Sequence, residues 1–343
     1  MREIVIVISD LYLEPSDGAD VPGASATEVP GLEHLARFAR RSPLAEGWRA
    51  WVARWAALAQ YAAAAPATVA SAPLAAELAN RAVWLATPLH LIAGLTRLHL
   101  DRRSLLRLTR AEAEDLVASF REVFRGSGFD LHPLETGELL LSGPPGSARS
   151  DTTEPARMLL IPLAEALATG EGAPALRRLS AEIEMWLHGH PVNARREQRG
   201  VPVIATLWPW GGGAQALAPA VAAHAPPDPA FGSDSYVRGL WRLAGGETRP
   251  MPVDWRTVVG EPRARRALAV VEVAELLQTE ASWHLADALR EIDRRLVSPS
   301  LEALHRGELE RFALLANDRC LLIRAADRWR LWRRRRAALA GLT

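Results

Sequence analysis

Ile4-Val5-Ile6-Val7-Ile8 is β-branched at every position and polar on neither face. Such a run predicts a strand buried on both sides, as in the middle of a parallel sheet. It ends in Ser9-Asp10, and polar groups just past the carboxyl end of a central strand stand where α/β folds build their sites. After a Pro/Gly/Asp-rich loop over 11–30 the period changes. Leu32, Leu35, Phe38, Trp48, Trp51, Trp55 and Leu58 recur at helical spacing and predict a helix over 31–61. Apolar segments of β character occupy 83–100. Thr109-Arg110-Ala111-Glu112 fits a capping box, with Leu116, Val117 and Phe120 on one face of the helix it opens. Gly126-Ser127-Gly128 ends that helix, and Phe129–Leu131 and Glu138–Leu141 read as short strands.

Beyond a Gly/Pro/Ser-rich loop at 143–156, Leu176 to Leu187 is amphipathic. Val201 to Trp208 is a second strand-like run, closing in Trp210-Gly211-Gly212-Gly213. An Ala/Pro-rich linker spans 214–233. Tyr236 to Leu243 reads as helix, Ala267 to Val273 as a buried strand and Trp283 to Leu296 as a charged helix. Phe312–Leu315 and Cys320–Arg324 pair as a hairpin around Asn317-Asp318. Strands alternating with helices predict α/β with a mostly parallel sheet, in which Ile4–Ile8 is central and Val201–Leu207 lies alongside. The mixed pattern of 83–190 predicts an inserted α+β domain between core parts 1–82 and 191–343.

Composition narrows the chemistry. Hydrophobic residues make up 49% of the 343, ample for two cores. The 41 basic residues are all arginine, so no Schiff-base lysine, lysine base or P-loop lysine is available. With 40 acidic residues the net charge is +1, which demands no polyanionic partner over the whole surface. One cysteine, Cys320, makes no internal disulfide, and a reducing, cytoplasmic setting is expected. The first apolar run is too short for a signal peptide, and Pro66, Pro73 and Glu77 interrupt the Ala-rich stretch 56–79, so no membrane span is expected. The strongest charge cluster runs from Arg328 to Arg336 around Trp329 and Trp332. It reads as a solvated helix with tryptophans on the body, or as a nucleic-acid or membrane contact; the first is expected, with the case for nucleic acid weak.

Three segments carry a family resemblance. His190-Pro191-Val192-Asn193 is followed by Arg196, Gly200, Pro202 and the glycine triplet 211–213. Leu100 to Leu116 is a strand, a turn and a Thr-opened helix containing Glu-Ala. Glu280-x-x-x-His284 is followed by Ile292-Asp293. Together with Ile4–Asp10 and Pro30-Gly31-Leu32-Glu33-His34-Leu35-Ala36, they resemble the archaeal-type cofactor-independent phosphoglycerate mutases of the alkaline phosphatase superfamily, and among them the bacterial RpfE-type regulatory branch. The resemblance implies an alkaline-phosphatase-like core with an inserted domain. It implies metal ligation by Asp10, Glu280, His284 and Asp318, with Mn or Zn as the metal, and a small phosphorylated ligand near His190, Asn193 and Arg196. A guanidinium at 196 suits bidentate recognition of phosphate. C-capping by Pro191 and Asn193 accounts for the same segment equally well, and Glu280 and His284 also read as plain helix-start residues.

The departures are chemical. The family's serine nucleophile falls in 51–58, which holds no Ser or Thr. Its Asp-His-Ser motif falls near Leu315–Arg319, where only Asp318 can ligate. Its lysine is absent. Phosphoryl transfer through an enzyme-bound phosphate needs a nucleophile beside a metal. The expectation is therefore a degenerate relative acting in ligand binding or regulation, the alternative a metal-dependent phosphomutase or phosphatase.

Overall fold

A computed structural model describes residues 2–13, 29–93, 98–148, 150–214, 228–260 and 265–329. In chain order the strands are β1 (Glu3–Ile8), β2 (Arg40–Pro43), β3 (Ala82–Leu89), β4 (Ile92–Ala93), β5 (Leu98–His99), β6 (Asp130–Pro133) and β7 (Leu139–Gly143). Then come β8 (Thr206–Ala214), β9 (Ala230–Phe231), β10 (Thr248–Arg249), β11 (Arg266–Val271), β12 (Arg311–Ala316) and β13 (Arg319–Arg324). The helices are α1 (Pro30–Phe38), α2 (Gly47–Trp55), α3 (Pro66–Ala70), α4 (Arg110–Val123), α5 (Ala173–His188) and α6 (Pro191–Gln198). They continue with α7 (Ser235–Leu243), α8 (Arg256–Val259), α9 (Val273–Thr279), α10 (Leu285–Ile292) and α11 (Ser298–His305).

The chain divides into two compact units. The first draws on Met1–Ala59, Ala223–Asp234 and Gly245–Thr343, the second on Gln60–Ala222 and Ser235–Ala244. Among the described residues the first unit holds a seven-stranded sheet in the order β10-β9-β11-β1-β12-β13-β2. From β10 to β12 neighbours run parallel; β13 and β2 close the edge antiparallel. All six residues of β1 are buried, as its β-branched run predicts. Alternate side chains Ile4, Ile6 and Ile8 enter a core with Leu32 and Leu35 of α1 and Ile292, Leu296 and Leu301 from the α10–α11 region. A π-helical turn over Asp293–Val297 joins those two helices.

The hairpin β12–β13 turns on Asn317 and Asp318, both at positive φ (49° and 54°). That is the two-residue primed turn whose twist matches the flanking strands, and Asn and Asp are among the residues that tolerate it. The helix expected over 31–61 is interrupted. Ala39 turns extended, Arg40–Pro43 pairs with β13, and the helix resumes as α2 at Gly47, which has φ +78°. Pro43 is tolerated because this is an edge strand. The apolar spacing persisted because two short helices each bury a stripe.

The second unit is built on the antiparallel sheet β6-β7-β3-β8. The Thr109–Glu112 capping box forms at the start of α4 in both directions, with Glu112 N–H donating to Thr109 Oγ1 and Thr109 N–H to Glu112 Oε2. Leu116, Val117 and Phe120 of α4 meet Leu131, Leu139 and Leu141, and Leu176 to Leu187 of α5, in one apolar cluster.

The run 201–207 does not lie in the sheet of β1. Pro202 has no N–H to offer a ladder, and the Asn193 side chain satisfies both the N–H and the C=O of Ile204 (2.8 Å each). Pairing starts at Thr206, and the partner is β3. The glycine triplet lies inside this strand and is no open turn. Trp84 faces the extra residue of a bulge between Val83 and Leu85, with Gly211 at φ +62°. A Cβ on Gly212 would overlap the Trp84 indole. The packing needs glycine there.

Among the described residues no helix is long and apolar enough to cross a membrane. The segment from residue 330 onward, with Trp332 and most of the arginine cluster, lies outside the described residues.

Candidate functional site

The carboxyl ends of β1, β11 and β12 form the edge where an α/β sheet places its ligands. Ser9 and Asp10 stand there, both buried. Asp10 Oδ1 accepts from the Val273 N–H and Oδ2 from the Ala274 N–H, each at 2.7 Å. These are the first two residues of α9, whose own N-cap residue, Glu272, makes no side-chain cap. The aspartate thus satisfies two orphan donors at the positive end of a helix dipole with charge-assisted bonds. Ser9 Oγ donates to the Val271 carbonyl at 3.4 Å, back into the sheet. The β12–β13 turn meets this edge through Asn317. Its N–H donates to the Leu11 carbonyl, and its Oδ1 accepts from the Leu13 N–H. Asp318 sits next in that turn, half-buried, its carbonyl accepting from Leu44 N–H.

Glu280 and His284 are elsewhere. Asp10 holds the first turn of α9, while Glu280 is its C-terminal cap, about 10 Å away along the axis at 1.5 Å per residue. Both Glu280 and His284 are exposed, and the His284 backbone N–H donates to Asp287 Oδ2 at 2.8 Å to open α10. No group of three or more His, Cys, Asp or Glu side chains placed to hold a metal ion occurs among the described residues. The four expected ligands are split between the two ends of α9, and the Asp10 carboxylate is engaged by backbone amides. This donor set does not fit a resident Mn or Zn centre.

His190, Asn193 and Arg196 come together, on one face of α6. His190 is its N-cap: Nδ1 accepts from the Val192 N–H at 3.2 Å, and Pro191 occupies the first helical position. Burial, followed by the nearby Arg195, lowers the His190 pKa, consistent with a neutral acceptor. Asn193 is helical and does not terminate a helix in the left-handed conformation. Its amide donates to the Leu187 and Ile204 carbonyls and accepts from Ile204 N–H. Arg196, its side chain only 6% exposed, donates from Nε to the Pro202 carbonyl and from Nη1 to Glu112 Oε1 at 3.0 Å. Arg199 pairs with the same carboxylate oxygen. The triad is a latch that ties α5, α6 and the 202–204 segment together, and its arginine is engaged with a carboxylate where a phosphate partner was expected. Glu112 was legible as a capping residue, but nothing local marked it as the counter-ion of Arg196, 84 positions on.

No protein-family model matches the chain, and no curated protein sequence does. Among solved structures it is similar to a cofactor-independent phosphoglycerate mutase from Thermoplasma acidophilum. The identity is 16%, the TM-score 0.37, and the match covers 94% of this chain and 90% of that one. It is also similar to the PH0037 protein from Pyrococcus horikoshii, at 11% identity and a TM-score of 0.45, covering 94% of this chain and 87% of that one.

Proposed function

We propose that the chain is a phosphoglycerate-mutase-like α/β protein of the regulatory, RpfE-type kind. In this reading the second unit stands as the inserted domain, and binding of a small phosphorylated acid outlives the chemistry. The observation that carries it is the use made of Asp10. The carboxylate at the end of the central strand, where a metal ligand was expected, spends both oxygens on the amides of α9. Segment 51–58 supports the same reading, since it offers only Trp, Val, Ala, Arg and Leu where a hydroxyl nucleophile would stand.

Two measurements on the purified full chain test this. Elemental analysis should find Mn and Zn well below one per chain. A coupled assay for interconversion of 2- and 3-phosphoglycerate with added Mn²⁺ should give no turnover above a buffer control. Robust turnover lost in Ser9→Ala or His284→Ala would overturn the reading, because it would require a rearranged centre built on those side chains.

A further inference from the structure

In the second unit, the last turn of α4, the 124–129 turn and the free edge of β6 enclose an open pocket of about 550 Å³. Its polar wall is a consequence of strand alternation. Leu131, Leu139 and Leu141 point into the apolar cluster, so His132 and Ser142 point to the opposite side of β6 and β7. Both are buried, at 8% and 1% exposure, and His132 Nε2 lies 3.0 Å from Ser142 Oγ. Arg81 Nη2 donates to the same hydroxyl at 3.3 Å and to the Gly128 carbonyl at 2.8 Å. Ser142 Oγ thus links Arg81 to His132 across the floor of the pocket. Burial above all holds the His132 pKa below the ordinary value, against the pull of Asp130. A neutral imidazole exchanges one bond with this hydroxyl, its direction set by the tautomer.

The rim is cationic. Arg121 and Arg125 follow each other at i, i+4 and line the opening with Arg81. Two carboxylates share it, Glu77 and Asp130, so one positive charge remains. Arg121 Nε engages Asp130 at 3.0 Å, whereas Arg125 makes no ion pair among the described residues. Phe124 and Phe129 add an apolar flank. A polar floor of serine and histidine, guanidinium groups around the mouth and an aromatic side wall together make a receptor for an oxyanion carried on a small apolar body.

We propose that this pocket binds a small phosphomonoester, its phosphate held by Arg81, Arg121 and Arg125 and its organic part against Phe124 and Phe129. The site lies within the second unit, apart from the strand edge of Asp10. It therefore supplies the ligand-binding reading with a location, while standing or falling separately from the loss of mutase chemistry.

The test is calorimetric titration of the full chain with phenyl phosphate and with inorganic phosphate at constant ionic strength. Phenyl phosphate should bind at one site per chain, and more tightly than inorganic phosphate. Arg125→Ala and Arg121→Ala should each weaken it about tenfold, in line with loss of one charge-assisted bond. Both residues are exposed, so the variants should keep the wild-type melting temperature. Ser142→Ala tests the floor, and the surface variant Arg177→Ala serves as a control that should bind like wild type. Absence of saturable binding, or binding that Arg121→Ala, Arg125→Ala and Ser142→Ala all leave equal to the Arg177→Ala control, would overturn the proposal. Either result would leave the metal and mutase measurements untouched.

Discussion

At the residue scale Asp10, His190, Asn193 and Arg196 all make hydrogen bonds within the fold, and Glu112, the partner of Arg196, shows what such bonds contribute. It accepts from Thr109 as part of a local capping box, and from Arg196 and Arg199 across 84 and 87 positions. Burial works against its charge. The Thr109 N–H and the two arginines outweigh that and hold its pKa below the usual carboxylate value. A folded pKa below the unfolded value of about 4.3 adds stability above that pH, and the increment is lost as pH falls through the folded value. Glu112→Ala should therefore destabilise the fold by about 3–5 kcal/mol at pH 7, because it strands a buried guanidinium. Denaturant melts at a series of pH values should show the wild type losing part of its advantage as pH falls below the unfolded carboxylate value of about 4.3. An equal gap between wild type and Glu112→Ala at pH 7 and at pH 3 would show that the ion pair contributes nothing.

At the scale of elements, several helices receive their caps from distant sequence. The Val29 N-cap of α1 makes no side-chain cap. Its Gly31 and Leu32 amides donate instead to Asp293, at 3.2 and 2.6 Å, from the start of the π-helical turn. Gly31 permits this approach, since a Cβ there would sit 2.6 Å from Asp293 Oδ1. Ser235 at the start of α7 donates from its backbone to Glu138 at 3.2 Å, and α9 takes Asp10. A sequence reading finds Thr109 because cap and helix are adjacent. It cannot find Asp10 or Asp293 as caps, because each acts across more than 260 positions. An aspartate ending a buried strand then reads as a site residue, and the family resemblance is what made Asp10 an expected metal ligand. Substitution separates the two roles. A cap tolerates Asp10→Asn with a loss of a few tenths of a kcal/mol, since asparagine also accepts from backbone amides, whereas Asp10→Ala should cost about 1–2 kcal/mol. Chelator treatment should shift neither melting curve. A metal ligand would instead make Asn nearly as damaging as Ala, with both effects matched by chelation in the wild type.

At the scale of the whole molecule, the central strand, the Thr109 helix, the hairpin at Asn317-Asp318 and the α/β class were legible because each has a local pattern. The assignment of 201–207 to the first sheet was not, since an apolar run looks the same in either sheet and only the partner strand decides. Each unit has its own apolar cluster, one around β1 and one around Trp84, and that separation can be tested with Gly212→Ala. The Trp84 indole that the new methyl group meets is fully buried and has no room to move. Overpacking of this kind costs about 1–3 kcal/mol, and it falls at the bulge where β3 and β8 pair. Hydrogen exchange read by mass spectrometry should show faster exchange in peptides from 82–89, 139–143 and 206–214. Peptides from 3–8, 266–271 and 311–316 should keep wild-type protection, because β1 lies between β11 and β12 and draws none of its ladder bonds from the second unit. Equal acceleration in both sets would mean that the two clusters open in one cooperative step, and that the division of the chain has no energetic counterpart.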